Sequence, residues 1–453
     1  MFESWTRFFR RNRRRLLIST GLLAILYVGS KYLTSKLVAL QKRLTEENFA
    51  KEQIKRRFQQ TQRDCYLTFL SLLPVLAEPI LHELPVESIT RQLQSKRLNR
   101  AGGGSANNNN QTNSSTILSD DFSLAPSDPT RQQTLVAPEQ KSKTQLWSEL
   151  KLQTITRFFT LAYSESLLIV FLHLQLNILS RRSYLETALK LASQNNGIQL
   201  IDNEISGGDE SISEQAFLSF SWWLLNKGWL EIKKQVETCV EDVWGELNPR
   251  QELTMVEFAS LIQRTQSLVE SVVLAPGSSK PQRLESSISA SYEVVHSNES
   301  ESTMLKSLLP PEELEFFLLQ QTNDLEFLTR FNSNVENTES LSNLLQELEG
   351  YLARPELTLV LSSLATTGIA RTMDKIAVSL IPKADLSNES ADADALLAAD
   401  DIPKAKLAAY LAQITKQSIS LTNNSVENEI LLTMNNLQEL NDISASVYSN
   451  FDE

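Results

Sequence analysis

The residues of this sequence that could do catalytic or metal chemistry are few and scattered. The 453-residue chain has three histidines, His82, His173 and His296, and two cysteines, Cys65 and Cys239, and neither cysteine lies near a histidine in sequence. Zinc sites need ligands at short spacings, phosphate-binding loops need clustered glycines, and a hydrolase nucleophile elbow needs Gly-x-Ser-x-Gly. The sequence shows none of these patterns. It predicts a protein without enzyme activity, metal or cofactor.

Two further groups of polar residues could suggest a reactive site. His173 follows Glu165 in an apolar helical stretch, where a histidine is more often a satisfied core residue than a catalytic base. An enzyme that uses these two residues is the weakest hypothesis, since it rests on burial and proximity alone. The acidic clusters lack the carboxylate spacing of a calcium loop, so they are expected to be solvated helix faces. They are Glu312-Glu313-Glu315 and Asp392-Asp394-Asp400-Asp401.

The charge is polarised along the chain. Residues 1–60 contain 14 basic and 4 acidic side chains, and the remainder contains 29 and 51, which together give the net charge of −12. A basic start beside an apolar segment fits an anionic membrane surface. An acidic body repels nucleic acid, so no nucleic-acid partner is expected.

An apolar segment at the N-terminus predicts a membrane anchor. Residues 16–30 carry no charge and follow the basic run 10–15. As a helix this segment is about 22 Å long, which is short for a bilayer core unless Lys31 and Lys36 snorkel at its edge. A cleaved secretory signal and an interior helix are the alternatives. The first lacks a small-x-small cleavage site, and six arginines in the first fifteen residues fit a core poorly.

Hydrophobic residues spaced three and four apart predict helices along most of the chain. With 13 glycines and 14 prolines, and no segment of sustained period-two alternation, a sheet-rich fold is not expected. The predicted fold class is all-α, an elongated bundle of long helices preceded by an N-terminal membrane-anchor helix. The predicted helices are Lys31–Leu73 ended by Pro74, Ile80–Leu98, Thr144–Leu179 with Thr144 as its cap, Glu214–Leu247, Leu253–Val273, Pro311–Phe331, Ser340–Leu352, Glu356–Leu380, Ile402–Gln417 and Glu427–Tyr448.

The domain plan follows from these segments. Residues 1–40 form the anchor with its basic flanks, and residues 41–453 form the helical-bundle domain. Residues 101–141, rich in Gly, Asn and Ser, interrupt the bundle as a disordered insertion. The apolar run Leu167–Leu172 could be a second membrane span, but polar neighbours favour the central helix of the bundle. Four tryptophans are expected in the core: Trp222, Trp223, Trp229 and Trp244.

Several short stretches, in their order and spacing, resemble one family, peroxisomal biogenesis factor 3 (peroxin-3). The similarity spans the chain apart from residues 101–141 and a loop near 275–302. The matching stretches are Gly29-Ser30-Lys31-Tyr32, Gln62-Arg63-Asp64-Cys65, Leu70-Ser71-Leu72-Leu73-Pro74, Leu146-Trp147-Ser148-Glu149-Leu150-Lys151, Leu174-Gln175-Leu176-Asn177-Ile178, Leu431-Leu432-Thr433-Met434 and Val447-Tyr448.

The resemblance implies a docking receptor in the peroxisomal membrane, reached directly or by way of the endoplasmic reticulum, with its helical bundle in the cytosol. Its partner would be the soluble shuttle receptor, peroxisomal biogenesis factor 19, which brings membrane proteins for insertion and binds through a short amphipathic helix. In the family the groove for that helix surrounds the tryptophan that matches Trp147. Leu93, Lys143 and Lys406 match its supporting leucine and two lysines.

Alternatives remain open at this point. Trp147 could be only another core aromatic. The protein could instead be an organelle tether that recruits peroxisome inheritance or pexophagy adaptors. Basic residues flank the apolar segment on both sides, so charge counting does not decide the orientation of the anchor.

Overall fold

The computed structural model describes residues 31, 36, 51–102, 141–195, 206–274, 302–380 and 404–450. The predicted anchor at 10–30, residues 103–140 of the predicted insertion and the cluster Asp392–Asp401 lie outside the described residues. The chain divides into two compact units, Met1–Asp64 and Cys65–Glu453. The second unit carries the core.

The described chain is almost entirely helical, which confirms the predicted all-α class. The elements in chain order are α1 (residues 51–83), α2 (Val86–Gly102), α3 (Lys143–Asn195), α4 (Ser206–Ser219), α5 (Ser221–Trp223), a π-helical segment (Leu224–Gly228), α6 (Trp229–Trp244), β1 (Glu252–Thr254), α7 (Met255–Val273), α8 (Thr303–Leu308), α9 (Glu312–Thr322), α10 (Leu325–Ser333), α11 (Val335–Leu352), α12 (Pro355–Leu380), β2 (Lys404–Lys406), α13 (Leu407–Leu421), α14 (Glu429–Asn435) and α15 (Gln438–Tyr448).

A short antiparallel ribbon corrects the prediction that no strand is present. β1 pairs with β2, with Leu253 opposite Ala405 and Glu252 opposite Lys406. Each strand has three residues and leads directly into a helix. Three residues are too few to show the period-two pattern from which a strand is predicted.

Pro74 and Pro79 do not end α1, so the predicted end at Leu73 is wrong. Proline removes one helical hydrogen bond and crowds the preceding turn. Pro74 is exposed and Pro79 half-buried, so both prolines lie on the outer side of α1. The opposite face of α1 is buried, and this burial holds the helix together through both prolines. The buried residues of that face include Leu73, Leu76, Ala77 and Ile80.

The first helix ends instead before Pro85, and this shifts the predicted Ile80–Leu98 helix to Val86–Gly102. Proline disfavours helical backbone in the residue that precedes it, which is Leu84. The Pro85 carbonyl accepts from the Ser88 N–H at 3.0 Å and starts α2. The α1–α2 corner therefore lies at Leu84-Pro85.

Three other predicted helices are interrupted, and one of the three breaks has a side-chain cap. The predicted Pro311–Phe331 helix is α9 and α10, because the Asp324 side chain accepts from the Phe327 N–H at 2.8 Å and starts a new helix. The predicted Glu427–Tyr448 helix is divided into α14 and α15, and Leu437, the residue before α15, makes no side-chain cap. The predicted Glu214–Leu247 helix is interrupted by the π-helical segment. Side chains that bond to the backbone offer an alternative to continued helix, and the Asp324 cap shows this competition.

The helix α3 is the centre of the bundle. It packs against α2, α6, α12, α13 and α15, and residues 154–175 are buried all round. Two described stretches are long and apolar enough to cross a membrane, Lys51–Arg97 and Lys143–Leu189, but the apolar window of the second is 100% buried inside the protein. The prediction of a central buried helix is therefore confirmed.

The tryptophans lie in or against this core. Trp244 is fully buried and donates from Nε1 to Thr265 Oγ1 at 2.8 Å. Its ring meets Phe258 edge-on, and Phe258 stacks on Tyr410 with ring centroids 4.2 Å apart. Trp229 is also buried, whereas Trp222 and Trp223 are half-buried and pack on the same core.

Three buried cations on α3 bind the ends of other helices. Lys151 donates to the Gly245 and Leu247 carbonyls just beyond α6, at 2.9 and 2.6 Å. Arg157 lies 3.5 Å from the Leu84 carbonyl just beyond α1, and Arg181 binds the carbonyl groups at the end of α15. Carbonyls at helix ends lack intrahelical partners and carry the negative end of the helix dipole. The cations from α3 donate hydrogen bonds to these carbonyls and also compensate the negative charge at the helix ends.

Candidate partner-docking site

Trp147 lies half-buried on a small cluster separate from the main core. The cluster joins α2 to the first two turns of α3, and we call it the α2–α3 cluster. Leu93 is one of its members and is 7% exposed. The structure therefore brings Leu93 and Trp147 together, as the resemblance implies. The buried members are Val86, Ile89, Leu93, Leu146 and Leu150.

The start of α3 is fixed by a reciprocal cap. The Ser142 hydroxyl accepts from the Gln145 N–H at 3.2 Å, and the Gln145 side chain accepts from the Ser142 N–H at 2.7 Å. This arrangement satisfies two backbone donors at the helix start. The predicted cap, Thr144, is instead inside the helix. The cap residue precedes Trp147 by little more than one turn, so the ring is held on a well-ordered helix start.

The surface around Trp147 is basic. Lys143 is exposed one helical turn before Trp147, on the same side of α3. Lys141 pairs with Glu149 at 2.7 Å, and the Lys96 side chain donates to the Lys141 carbonyl. Arg97 is exposed one turn after Leu93 on α2. Glu149 is already paired with Lys141, so exposed basic groups are in excess and the surface suits an acidic partner.

An ion pair between the buried Arg157 and the half-exposed Glu87 sets the direction in which α2 leaves the α1–α2 corner. Arg157 is 1% exposed and donates from Nη1 to Glu87 Oε2 at 2.8 Å. Partial burial alone would raise the pKa of Glu87, but the guanidinium hydrogen bond and charge outweigh it and the pKa is lowered. Since Leu93 follows on the same helix, this pair positions it relative to Trp147.

Lys406 lies on a neighbouring element. It is exposed on β2, and the next residue, Leu407, donates its N–H to the Gln251 carbonyl at 2.8 Å. Lys151, one turn after Trp147, binds the carbonyl of Leu247 in the same connection. The connection 245–251 thus links the start of α3 to β2. In the described chain, no hydrogen bond or ion pair joins Lys406 to Trp147, Leu93 or Lys143.

Sequence reasoning missed Lys151 and Arg157 as residues that position this surface. One signal was present, because a charged residue inside an otherwise apolar helix must find a partner. Lys151 also continues the four-residue spacing of Lys143 and Trp147. The sequence carried no signal for the partners themselves, since Glu87 is 70 residues from Arg157 and Gly245 is 94 residues from Lys151.

The residues of the enzyme hypothesis do not form a reactive pair. His173 is bonded at both ring nitrogens, Nδ1 to Ser444 Oγ at 3.0 Å and Nε2 to Asn435 Oδ1 at 3.1 Å. Burial lowers the pKa of His173 to about 4, so it is neutral at physiological pH. Burial raises the pKa of Glu165, which is fully enclosed. His173 is therefore the satisfied core histidine that was expected.

Metal ligands are likewise not assembled in the part of the chain that the structure describes. No group of three or more His, Cys, Asp or Glu side chains there could hold a metal ion. Cys65 and Cys239 are both buried, and they do not form a disulfide with each other. Burial raises the pKa of the Cys239 thiol to about 11, which keeps it unreactive.

Comparison with known proteins places the whole chain in one family. Residues 7–450 match the family model described as Peroxin-3. The chain is 53% identical to "Peroxisomal membrane protein PEX3" of Komagataella phaffii, with 100% of both chains covered. It is 34% identical to "Peroxisomal biogenesis factor 3" of Debaryomyces hansenii over 100% of both chains, and 22% identical to the Bos taurus protein of that name over 100% of this chain and 98% of the relative. This chain belongs to the Peroxin-3 family.

Proposed function

We propose that this protein is a membrane-anchored docking receptor of peroxisome biogenesis. It binds peroxisomal biogenesis factor 19, loaded with newly made membrane proteins, and enables their insertion into the peroxisomal membrane. The N-terminal segment anchors it and the helical bundle lies in the cytosol. The relatives named above are called peroxisomal membrane or biogenesis proteins, and their names mention no reaction.

The half-buried ring of Trp147 on the α2–α3 cluster is the observation that carries this proposal. A core tryptophan of a large bundle would be enclosed like Trp244, but Trp147 has one side on the cluster and the other in solvent. An aromatic side chain anchored in this way has little conformational entropy left to lose when a partner covers it. An amphipathic helix can lay its apolar face over such a ring.

The charges around Trp147 support an acidic partner helix. Lys143 and Lys406 are both exposed, so a partner carboxylate can reach them without the cost of burying an unpaired charge. Exposed charges at the edge of an interface act mainly on the association rate and on salt dependence. They contribute less to affinity than an apolar anchor in the centre.

The substitution Trp147→Ala tests the proposal. It should weaken binding of a peptide from peroxisomal biogenesis factor 19 by tenfold or more, since anchor tryptophans contribute about 2 to 4 kcal/mol. The melting temperature should change little, because the ring is not enclosed by the main core. Fluorescence anisotropy with labelled peptide and a thermal melt of each protein give the two measurements.

Trp223→Ala is the matched control, since Trp223 is also half-buried but lies on α5. It should leave peptide affinity unchanged. Lys143→Glu and Lys406→Glu should each weaken binding less than Trp147→Ala and slow association most at low salt. Unfolding of the Trp147→Ala protein, or binding of the peptide at unchanged affinity, would assign Trp147 to the core. Either result would contradict the proposed binding groove.

A further inference from the structure

A second cleft lies between the α11–α12 turn and α15, formed by different residues from the Trp147 surface. It has a volume of about 760 Å³ and opens to solvent. Its floor is apolar, and Leu359 on α12 stands at its edge with 68% of its surface exposed. Clefts of several hundred cubic ångströms with apolar floors are typical of binding sites. The floor residues are Leu174, Leu357, Val360, Ile443 and Val447.

The floor is held in place by one of the buried cations of α3. Arg181 donates to Glu347 Oε1 at 2.5 Å and to the Asn450 carbonyl at 2.8 Å. It also lies 3.5 Å from the Tyr351 hydroxyl, and Tyr351 lines the cleft. Since α3, α11 and the end of α15 are tied to one guanidinium, the cleft is preformed. A preformed site loses little entropy when a ligand binds.

The rim of the cleft is acidic. It carries Glu356 from α12 and Glu439 and Asp442 from α15. None of the ion pairs within the described ranges includes these three carboxylates. The one cation on the rim, Arg354, lies over the Tyr351 ring at 4.3 Å from its centroid. The rim therefore carries an excess of negative charge.

The shape of the cleft matches a helix. Along α15 it runs from Glu439 to Val447, about 12 Å, which is two helical turns. The lining positions on α15 are 439, 442, 443, 446 and 447, which form one helix face. A partner helix laid beside that face would place two or three aliphatic side chains at i, i+3 or i+4, and i+7 over the floor.

We propose that this cleft docks a basic amphipathic helix of a partner protein. Its aliphatic side chains enter the cleft against Leu359 and the apolar floor. Its Lys or Arg side chains face Glu356, Glu439 and Asp442. This is a second docking site, formed by different residues from the Trp147 surface, for a partner whose charge is opposite to that expected there.

Three synthetic helical peptides of one length test the proposal against the full chain in detergent micelles. The first has Leu at i, i+4 and i+7 with Lys flanks, the second replaces every Lys by Glu, and the third replaces every Leu by Ser. Only the Leu/Lys peptide should bind in fluorescence anisotropy. Its affinity should fall as salt is raised, because the rim charges are exposed to solvent.

Variants of the cleft locate the bound peptide. The double change Glu439→Lys and Asp442→Lys should weaken the Leu/Lys peptide about tenfold or more at low salt. Leu359→Ser should weaken it about five- to tenfold, since a mostly exposed leucine becomes buried on binding. The matched controls are a double Glu312→Lys and Glu313→Lys change on α9, and Leu325→Ser on α10. Those sites are also exposed, and the controls should bind like the unmodified protein.

Three outcomes would overturn the proposal. The Glu peptide could bind as well as the Lys peptide, which would indicate an anionic ligand at Arg354. The cleft variants could bind like their controls, which would place the peptide elsewhere. Trp147→Ala could abolish the same binding, which would assign the peptide to the first site. Far-ultraviolet circular dichroism on every variant shows that a lost signal comes from the cleft and not from unfolding.

Discussion

Gly228→Ala should be among the most destabilising substitutions available in this chain. Gly228 ends the π-helical segment with φ −62° and ψ −36°, a backbone conformation that alanine adopts freely. A Cβ atom built on it, however, would lie 1.8 Å from the Ser307 carbonyl oxygen and 2.7 Å from the carbonyl carbon. The effect of the substitution is therefore steric, and it comes from α8 pressing against the π-helical segment.

The geometry sets the size of the effect. Ordinary contact needs 3.4 to 4 Å, so the two segments must separate by roughly 1.5 Å, and the atom in the way is backbone that cannot rotate aside. The face of α8 that would move carries the buried Met304 and Leu308. Overpacking costs about 1 to 3 kcal/mol, and the voids opened beside these residues add to it. We expect the free energy of unfolding to fall by about 3 to 5 kcal/mol.

Gly350→Ala is the matched control. Gly350 lies inside α11, and a Cβ there would meet nothing within 4 Å. Alanine at that position should raise the free energy of unfolding by about 0.5 to 1 kcal/mol, because it limits the unfolded chain and favours helix. Denaturant unfolding followed by far-ultraviolet circular dichroism measures both changes. If Gly228→Ala lies within about 1 kcal/mol of the unmodified protein, α8 does not press on the π-helical segment as described.

Two other predictions concern ionisable groups of α3. Burial raises the pKa of Glu165, so the folded protein holds this proton to a higher pH than the unfolded chain does, and Glu165 destabilises the protein as pH rises above 4.5. Glu165→Gln should therefore raise the free energy of unfolding at pH 7 by at most about 3 kcal/mol and give no gain at pH 4. A difference between the two proteins that does not change with pH would contradict this. Subtracting the unfolding free energy of the unmodified protein from that of the variant cancels the opposite contribution of His173, which both proteins share. Lys151→Met leaves the Gly245 and Leu247 carbonyls without their cation and should lower the free energy of unfolding, measured in urea, by about 1 to 3 kcal/mol. An unchanged urea midpoint would show that water replaces the ammonium group.

The features predicted well from sequence are those that depend on neighbouring residues. The helical class follows from spacing, and the burial of α3 follows from an apolar run interrupted by isolated polar residues, Glu165 among them. The break before α10 was missed although its capping residue, Asp324, is a local signal, whereas the missed break before α15 has no side-chain cap. A helical hydrophobic pattern continues through both breaks and obscures the local signal at Asp324.

The features that could not be predicted depend on pairs far apart in sequence. No local property of Arg157 indicates that it pairs with Glu87 across the α1–α2 corner. Likewise, the close approach of Gly228 to Ser307 depends on how α8 packs, and a glycine alone does not indicate it. Trp147 and Leu93 were named by resemblance, and their contact through the α2–α3 cluster became visible only in three dimensions.

The binding of helix ends by α3 has a consequence for biosynthesis. Arg181 reaches the Asn450 carbonyl, 269 residues further along the chain, and a ribosome adding about 5 to 20 residues per second needs roughly 15 to 50 s to make that stretch. Throughout this interval the nascent α3 carries a guanidinium and an apolar surface whose partners have not been made. The interval sets how long a chaperone must shield the nascent chain before its central helix can be enclosed.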